Sequence, residues 1–347
     1  MIQTEVCHIH SFMTGFNPPE CWLIERRFAM RQIFSNFCKR RKTRSVRSVQ
    51  LSVLKLEERA VPATFIVTSN GDNGAGTLRD ALSMANGSPG ADTIKFSIGS
   101  GQATIALASG LPDVSDAVTI DATTQPGYAG TPVIELNGAN AGSYVAGFKI
   151  TSGLVTLKGL IINRFSSQGI WLFGGGSNTI KNCWIGVNST GSAAAANGSD
   201  GIFIDKSSGN TVGGPLDSDR NLISGNSGNG IHFLFHGQAN NNLMQNNFIG
   251  TDLTGKYAVG NRDNGIDFFG PATYNTMINN VISGNSGHGI TFFGGDASDN
   301  LITGNHVGVD VTGTRGVPNN RNGGISGDHH ESRLQITSLP PIKVQAL

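Results

Sequence analysis

Residues 184–204, "WIGVNSTGSAAAANGSDGIFI", return as "FIGTDLTGKYAVGNRDNGIDF" at 248–268 and as "HVGVDVTGTRGVPNNRNGGIS" at 306–326. The offsets are 64 and 58 residues, and the shorter unit "ISGN" recurs after 59. Each period holds several apolar runs of three to five residues, such as "GIFI", "NTV", "NLI", "GIHFL", "NNLM" and "NFIG". A unit of this kind is too small to bury a core alone; copies stacked on one another bury a continuous one, which makes the chain a solenoid. Composition agrees. The 48 glycines are about twice the usual share of ~7%. Charged residues make up 14% against a typical ~25%. The net charge of +1 offers no global attraction for nucleic acid or an acidic partner.

Runs this short, ending in Gly or Asn, suit coils of a parallel β-helix, where left-handed backbone at sharp corners favours those residues. Asn182, Asn226, Asn246, Asn285 and Asn305 share one place in the motif and are expected to form a hydrogen-bonded ladder from coil to coil. The "GI" strands set the inside and outside by alternation. Ile170/Leu172, Ile202/Ile204, Ile231/Phe233, Ile266/Phe268 and Ile290/Phe292 are expected in the core. Trp171/Phe173, Phe203/Asp205, His232/Leu234, Asp267/Phe269 and Thr291/Phe293 are then expected to face out. A slip of one residue would exchange the two faces.

Three parts follow from the pattern. Residues 1–62 carry the basic run "KRRKTRSVR" (39–47) and "LEERAVP" (56–62), and are expected to be a mostly disordered or targeting segment. The basic block also fits the front of an export signal, with Met30 as an internal start; peptides from residues 1–29 in the native protein would refute that. Residues 63–326 are the β-helix, and 327–347 an irregular tail. Within 63–160, "ATFIVTS", "DTIKFSI", "ATIALAS", "AVTID" and "PVIELNG" alternate as half-buried strands. "GTLRDALSMAN" is the one convincing helix: Thr77 caps it, and Leu78, Ala81, Leu82 and Ala85 recur on one face. Cys7, Cys21, Cys38 and Cys183 match no zinc spacing. No apolar stretch reaches the ~18 residues of a membrane span.

The stretches "GTLRDALSMAN", "TIDATTQPGYAGTPVIELNG" and "NLISGN…GI…NNFIGTDLTG" resemble bacterial secreted or surface proteins with right-handed parallel β-helix domains, the pectate-lyase-like class, over about residues 63–326. "LEERAVP" resembles the short segment that precedes such domains in large exported proteins. The resemblance implies an all-β, single-stranded right-handed parallel β-helix. It also implies an amphipathic helix covering the first coil, with Leu78 and Leu82 against it, and an extracellular or cell-surface location. Such proteins continue with more coils, so a truncated C-terminus is expected. The same architecture carries lyases, polygalacturonases, epimerases, adhesins and tailspikes, so it does not assign an activity.

The trio Gly287-His288-Gly289 matches one motif of polygalacturonases. Their partner motifs are missing: Asn-Thr is followed by Ile180, Val212 or Met277 and never by Asp, no Asp-Asp occurs, and no Arg-x-Lys follows His288. His288 stands where Asp200, Asn229 and Asn264 stand in other periods, a place expected to be an exposed turn. Asp200, Asp205, Asp263 and Asp267, with Arg220 and Arg262 nearby, are the weaker case for a Ca²⁺-assisted lyase. Asp252 and Asp310, in Thr-Gly turns, are expected to bond their own backbone. His329 and His330, in the tail, are expected to be solvated. No metal or other cofactor is otherwise called for.

The outward row is unusually aromatic. Exposed apolar rows mark interaction surfaces, and rings beside Asp and His suit a sugar chain. The bland alternative is that another part of the chain covers the row. Trp171, Phe203, Asp205, His232, Asp267, Phe269 and Phe293 are therefore the candidate binding residues, for a polysaccharide or cell-surface glycan. A non-catalytic structural, adhesive or glycan-binding module is the leading expectation; a polysaccharide lyase acting on an acidic polysaccharide is the alternative. Oligomeric state has no signal in the sequence.

Overall fold

The computed structural model describes residues 61–234, 239–294, 298–321, 325–327 and 335–337. The expectations for the basic segment, Met30, His329 and His330 lie outside them.

Successive coils feed three sheets, and from Val118–Asp121 to Ile325–Gly327 each coil contributes one strand to each. The first sheet runs from Thr64–Val67 through Asp92–Phe96, Val118–Asp121 and Thr156–Lys158, then by way of Thr179–Lys181 and its successors to Leu301–Thr303 and Gln335–Thr337. The second runs from Ala103–Ala106 to His306–Val307, and the third from Phe148–Ile150 to Ile325–Gly327. Successive strands pair in parallel throughout all three sheets, as in Ile202↔Ile231 and Ile231↔Ile266. Strand, corner and next strand repeat in the right-handed sense that parallel crossovers take. The chain is a right-handed parallel β-helix. Separations between stacked positions range from 22 residues (Phe148 to Ile170) to 38 (Trp184 to Leu222), so the coils are unequal in length.

Alternation sets the core as the sequence predicts. Ile170, Leu172, Ile202, Ile204, Ile231, Phe233, Ile266, Phe268, Ile290 and Phe292 are all buried, and the rings of Phe233, Phe268 and Phe292 stack at 4.3 and 4.7 Å. The helix spans Leu78–Gly87, with its Leu78, Ala81, Leu82 and Ala85 face buried in the same core. Thr77 Oγ1 accepts from Asp80 N (3.3 Å) while Asp80 returns a carboxylate oxygen to Gly76 N (3.1 Å), a reciprocal cap.

The asparagine ladders differ from expectation. Three run along the axis. Asn197 Nδ2 donates to Asn226, Asn226 to Asn261, Asn261 to Asn285 and Asn285 to Asn319, at 2.9–3.0 Å. A second joins Asn221, Asn247, Asn280 and Asn305, each rung 2.9 Å. A third joins Asn178, Asn210, Asn242 and Asn275. Of the expected set, Asn226 and Asn285 share one ladder and Asn305 belongs to another. Asn182 and Asn246 belong to neither: they take left-handed corners at φ 51° and 58°. The expected set mixes two corners: Asn226 and Asn285 follow second-sheet strands, whereas Asn182, Asn246 and Asn305 precede them, Asn182 and Asn246 one residue ahead of the ladder position.

Three excursions interrupt alternate coils as small hairpins, closed by the antiparallel bridges Val187↔Ala194, Thr251↔Ala258 and Val309↔Gly316. Each is fixed by one side chain. Asp252 accepts from Thr254 Oγ1, Lys256 N and Tyr257 N, and Asp310 from Thr312 N, Thr314 N and Arg315 N. Asn188 does the same for Ser192 and Ala193. These aspartates bond their own turns, as expected. The tips touch one another: Leu253 N donates to Gly191 O and Val311 N to Gly255 O, both 2.9 Å. Beneath them a second apolar cluster forms outside the coil, from Ile161, Trp184, Val187, Leu222, Phe248 and Val281.

Candidate ligand-binding face

The third sheet turns the expected outward residues away from the core in two rows. In the first, register places Lys149, Trp171, Phe203, His232, Asp267 and Thr291 on successive strands. In the second, Phe173 pairs with Asp205, and Phe269 with Phe293. Parallel pairing puts identical strand positions side by side about 4.8 Å apart. Alternation therefore becomes a continuous surface.

The surface has three zones. At one end Trp171 meets Phe173 edge-on at 5.5 Å, and the Lys149 ammonium lies 5.4 Å from the Trp171 ring centre and 5.8 Å from that of Phe173. Lys206 lies 5.9 Å from the Phe173 ring, and Lys149 also pairs with Asp113 at 2.7 Å. Cations over ring faces are attracted by the ring quadrupole. At the other end Phe269 and Phe293 stack at 5.4 Å with 39% and 56% of their surface exposed. The two platforms, Phe173 and Phe269, are three coils apart, or about 14 Å along the axis.

Between them the surface closes. Phe203 and Asp205 point outward yet are buried, at 8% and 5% exposure, so their exposure in the sequence reading needs correction. Phe203 is flanked by Trp171 at 5.9 Å and by His232 edge-on at 5.2 Å. Bulky side chains on both neighbouring strands cover it, an effect that one strand's alternation does not register.

The closed zone holds the charged cluster. His232 Nδ1 lies 3.2 Å from Asp200 Oδ2, and Nε2 lies 3.8 Å from Asp267 Oδ2. Burial works against the His232 imidazolium, but the hydrogen bond to Asp200 and the charges of Asp200, Asp267 and Asp263 outweigh it, and its pKa rises above the ordinary histidine value. Burial likewise raises the Asp267 carboxyl, aided by Asp200 and Asp263 and opposed by His232 and Asn264. Three polar atoms of this face, Trp171 Nε1, Asp205 Oδ1 and Thr291 Oγ1, are buried without a hydrogen-bond partner among the described residues. Such groups cost about 1–3 kcal/mol each when left unmade.

Asp200 belongs to a fourth polar ladder. Asn229 N and Nδ2 donate to Asp200 Oδ1 (2.7 and 3.0 Å), Asn264 N to Asn229 Oδ1 (3.0 Å), and His288 N to Asn264 Oδ1 (2.8 Å). The shared position of these four residues is as read from the repeats, but the turn is not exposed: Asp200 and Asn229 are 5% and 8% exposed. His288 is one rung of it, and burial, followed by the charge of Arg321, lowers its pKa. Sequence reasoning missed Asp200 as a partner of His232, because the two come from different coils. Among the described residues no three His, Cys, Asp or Glu side chains converge as metal ligands, and no helix is long and apolar enough to cross a membrane.

In sequence, neither a family description nor a curated protein matches the chain. Solved structures do match in architecture. A variant of the periplasmic alginate epimerase AlgG is 14% identical over 72% of this chain and 61% of its own, with a TM-score of 0.41. The A-module of the mannuronan C-5 epimerase AlgE4 from Azotobacter vinelandii is 12% identical over 72% and 79%, TM-score 0.32. Pectate lyase Pel9A is 14% identical over 79% and 78%, TM-score 0.32. The chain thus spans about three fifths of the length of AlgG, and the likeness is one of coiled parallel sheets.

Proposed function

We propose that the chain is a carbohydrate-binding β-helix module of the cell surface or extracellular space, which holds a glycan along the outer face of its third sheet and has a structural or adhesive role. One observation carries this reading: rings of Trp171, Phe173, Phe269 and Phe293 stand on the same face as Lys149, His232 and Asp267, in strand register. Sugar rings present an apolar face for stacking and hydroxyls at the rim. A surface that alternates rings with donors and acceptors answers both. Profiling on a panel of immobilised polysaccharides tests it. Wild type is expected to retain at least one glycan that Trp171→Ala and Phe269→Ala release; identical profiles remove the reading.

A second reading is favoured by the cluster of Asp200, His232 and Asp267. A histidine held between two carboxylates on an outer face is equipped to move a proton, as a polysaccharide lyase acting on an acidic polysaccharide requires. Incubation with acidic polysaccharides, followed by absorbance of unsaturated sugar ends, separates the two. Product formation abolished in His232→Gln supports the enzyme, and retention without product supports the binding module.

A further inference from the structure

The corner that leads from the third sheet to the first is built on one left-handed residue per coil. Two residues before each first-sheet strand from Thr156–Lys158 to Leu301–Thr303 stand Leu154, Ser177, Gly209, Asn241, Tyr274 and Asp299, with φ between 55° and 70°. Gly, Asn and Asp accept this backbone readily, whereas a bulky side chain there is strained. Leu154 and Tyr274 break the series. They are 69% and 58% exposed, so burial does little to offset the strain.

Their places coincide with the two platforms. Leu154 lies one coil from Trp171 and Phe173. Tyr274 lies in the same coil as Phe269, on the corner that this strand runs into, one coil from Phe293. Beside the closed zone of Phe203 and His232 the corner holds Gly209 and Asn241. Large strained side chains thus stand in or one coil from the open platforms, whose remaining corners hold Ser177 and Asp299, and are missing from the coils of the closed zone. Strain retained without a packing reward, in the coil of an exposed ring platform, points to a role outside folding.

We infer that Tyr274 is a glycan-contacting residue, which carries the Phe269–Phe293 platform around the corner so that a sugar chain crosses the strand ends as well as the sheet face. This rests on the carbohydrate-binding reading above. A tyrosine ring stacks on the apolar face of a sugar while its hydroxyl reaches the rim, at low conformational cost.

The test is Tyr274→Asn, measured on whichever polysaccharide wild type retains from the panel. Asn accepts the left-handed corner, so melting temperature is expected to rise by about 2 °C, while affinity falls about three- to tenfold. Tyr274→Phe keeps the ring and is expected to bind within about twofold of wild type. Tyr144→Asn relieves an equally strained tyrosine (φ 60°, 94% exposed) at the opposite edge of the third sheet, and is expected to leave binding unchanged. An unchanged affinity in Tyr274→Asn, with Phe269→Ala still weakened, overturns this inference and leaves the binding face intact. Equal losses in Tyr144→Asn and Tyr274→Asn also overturn it. Wild type that retains nothing overturns both readings.

Discussion

Two outer faces of this β-helix start from the same kind of sequence and finish differently. The second sheet turns Trp184, Leu222, Phe248 and Val281 outward, and the third turns out Trp171, Phe203, Phe269 and Phe293. Over the second sheet the hairpins fold back and reduce Trp184 and Phe248 to 5% and 4% exposure. On the third, Phe269 and Phe293 stay open. An outward apolar stripe is therefore not a functional surface by itself. On the third sheet no hairpin among the described residues folds back in the same way.

The contrast is sharpest in stability. Phe248→Ala removes a ring held under the hairpin tip and beneath the Arg220 guanidinium, 4.3 Å from the ring centre. The expected loss is about 3 kcal/mol, read as a melting temperature lower by roughly 8 °C. If Phe248→Ala is neutral, the hairpins are not a real cover. Next comes Asn247→Ala, which breaks the ladder at the corner between the first and second sheets. Asn247 Nδ2 donates to Val212 O and Asn280 Oδ1, and its Oδ1 accepts from Asn221, so about 2 kcal/mol is expected from calorimetry.

A smaller effect separates the faces by pH. The His232 pKa is raised in the folded protein, so its contribution is full below the ordinary histidine value of about 6.5 and is lost as pH climbs through the raised value. Asp267, also raised, works in the same sense at lower pH. Wild-type melting temperature is expected to fall as pH rises above about 6.5, and His232→Gln to flatten that slope. A slope that survives the substitution places the titrating group elsewhere. Least of all, Phe293→Ala is expected to change stability by under about 0.5 kcal/mol. A large loss there would mean that the open face is covered after all.

Alternation made inside and outside legible, because a strand's period of two is insensitive to what surrounds it. Ile231, Phe233, Ile266 and Phe268 needed only their own neighbours to be placed. Thr77 and Leu82 were readable for the same reason: a helix cap and a buried helical face are local. The ladders were not, since Asn197 and Asn226 meet across 29 residues and Asn226 and Asn261 across 35. Nor was the burial of Phe203 and Asp205, which depends on the bulk of the flanking strands. The cluster of Asp200, His232 and Asp267 draws on three coils. The cover over Phe248 depends on hairpin tips that meet across a coil lacking one. Distances of this kind are properties of the stack, and no single stretch encodes them.

The hairpin contacts also set how such a chain can change in length. Leu253 reaches Gly191 and Val311 reaches Gly255 by skipping one plain coil each time. Removing a single coil would keep the three sheets parallel and the asparagines aligned, yet bring two hairpins into collision or leave one without its neighbour. Removing or adding a pair of coils preserves everything. The protein is thus modular in steps of two turns, and a shortened or lengthened version that respects that step is the natural way to build the same face at another length.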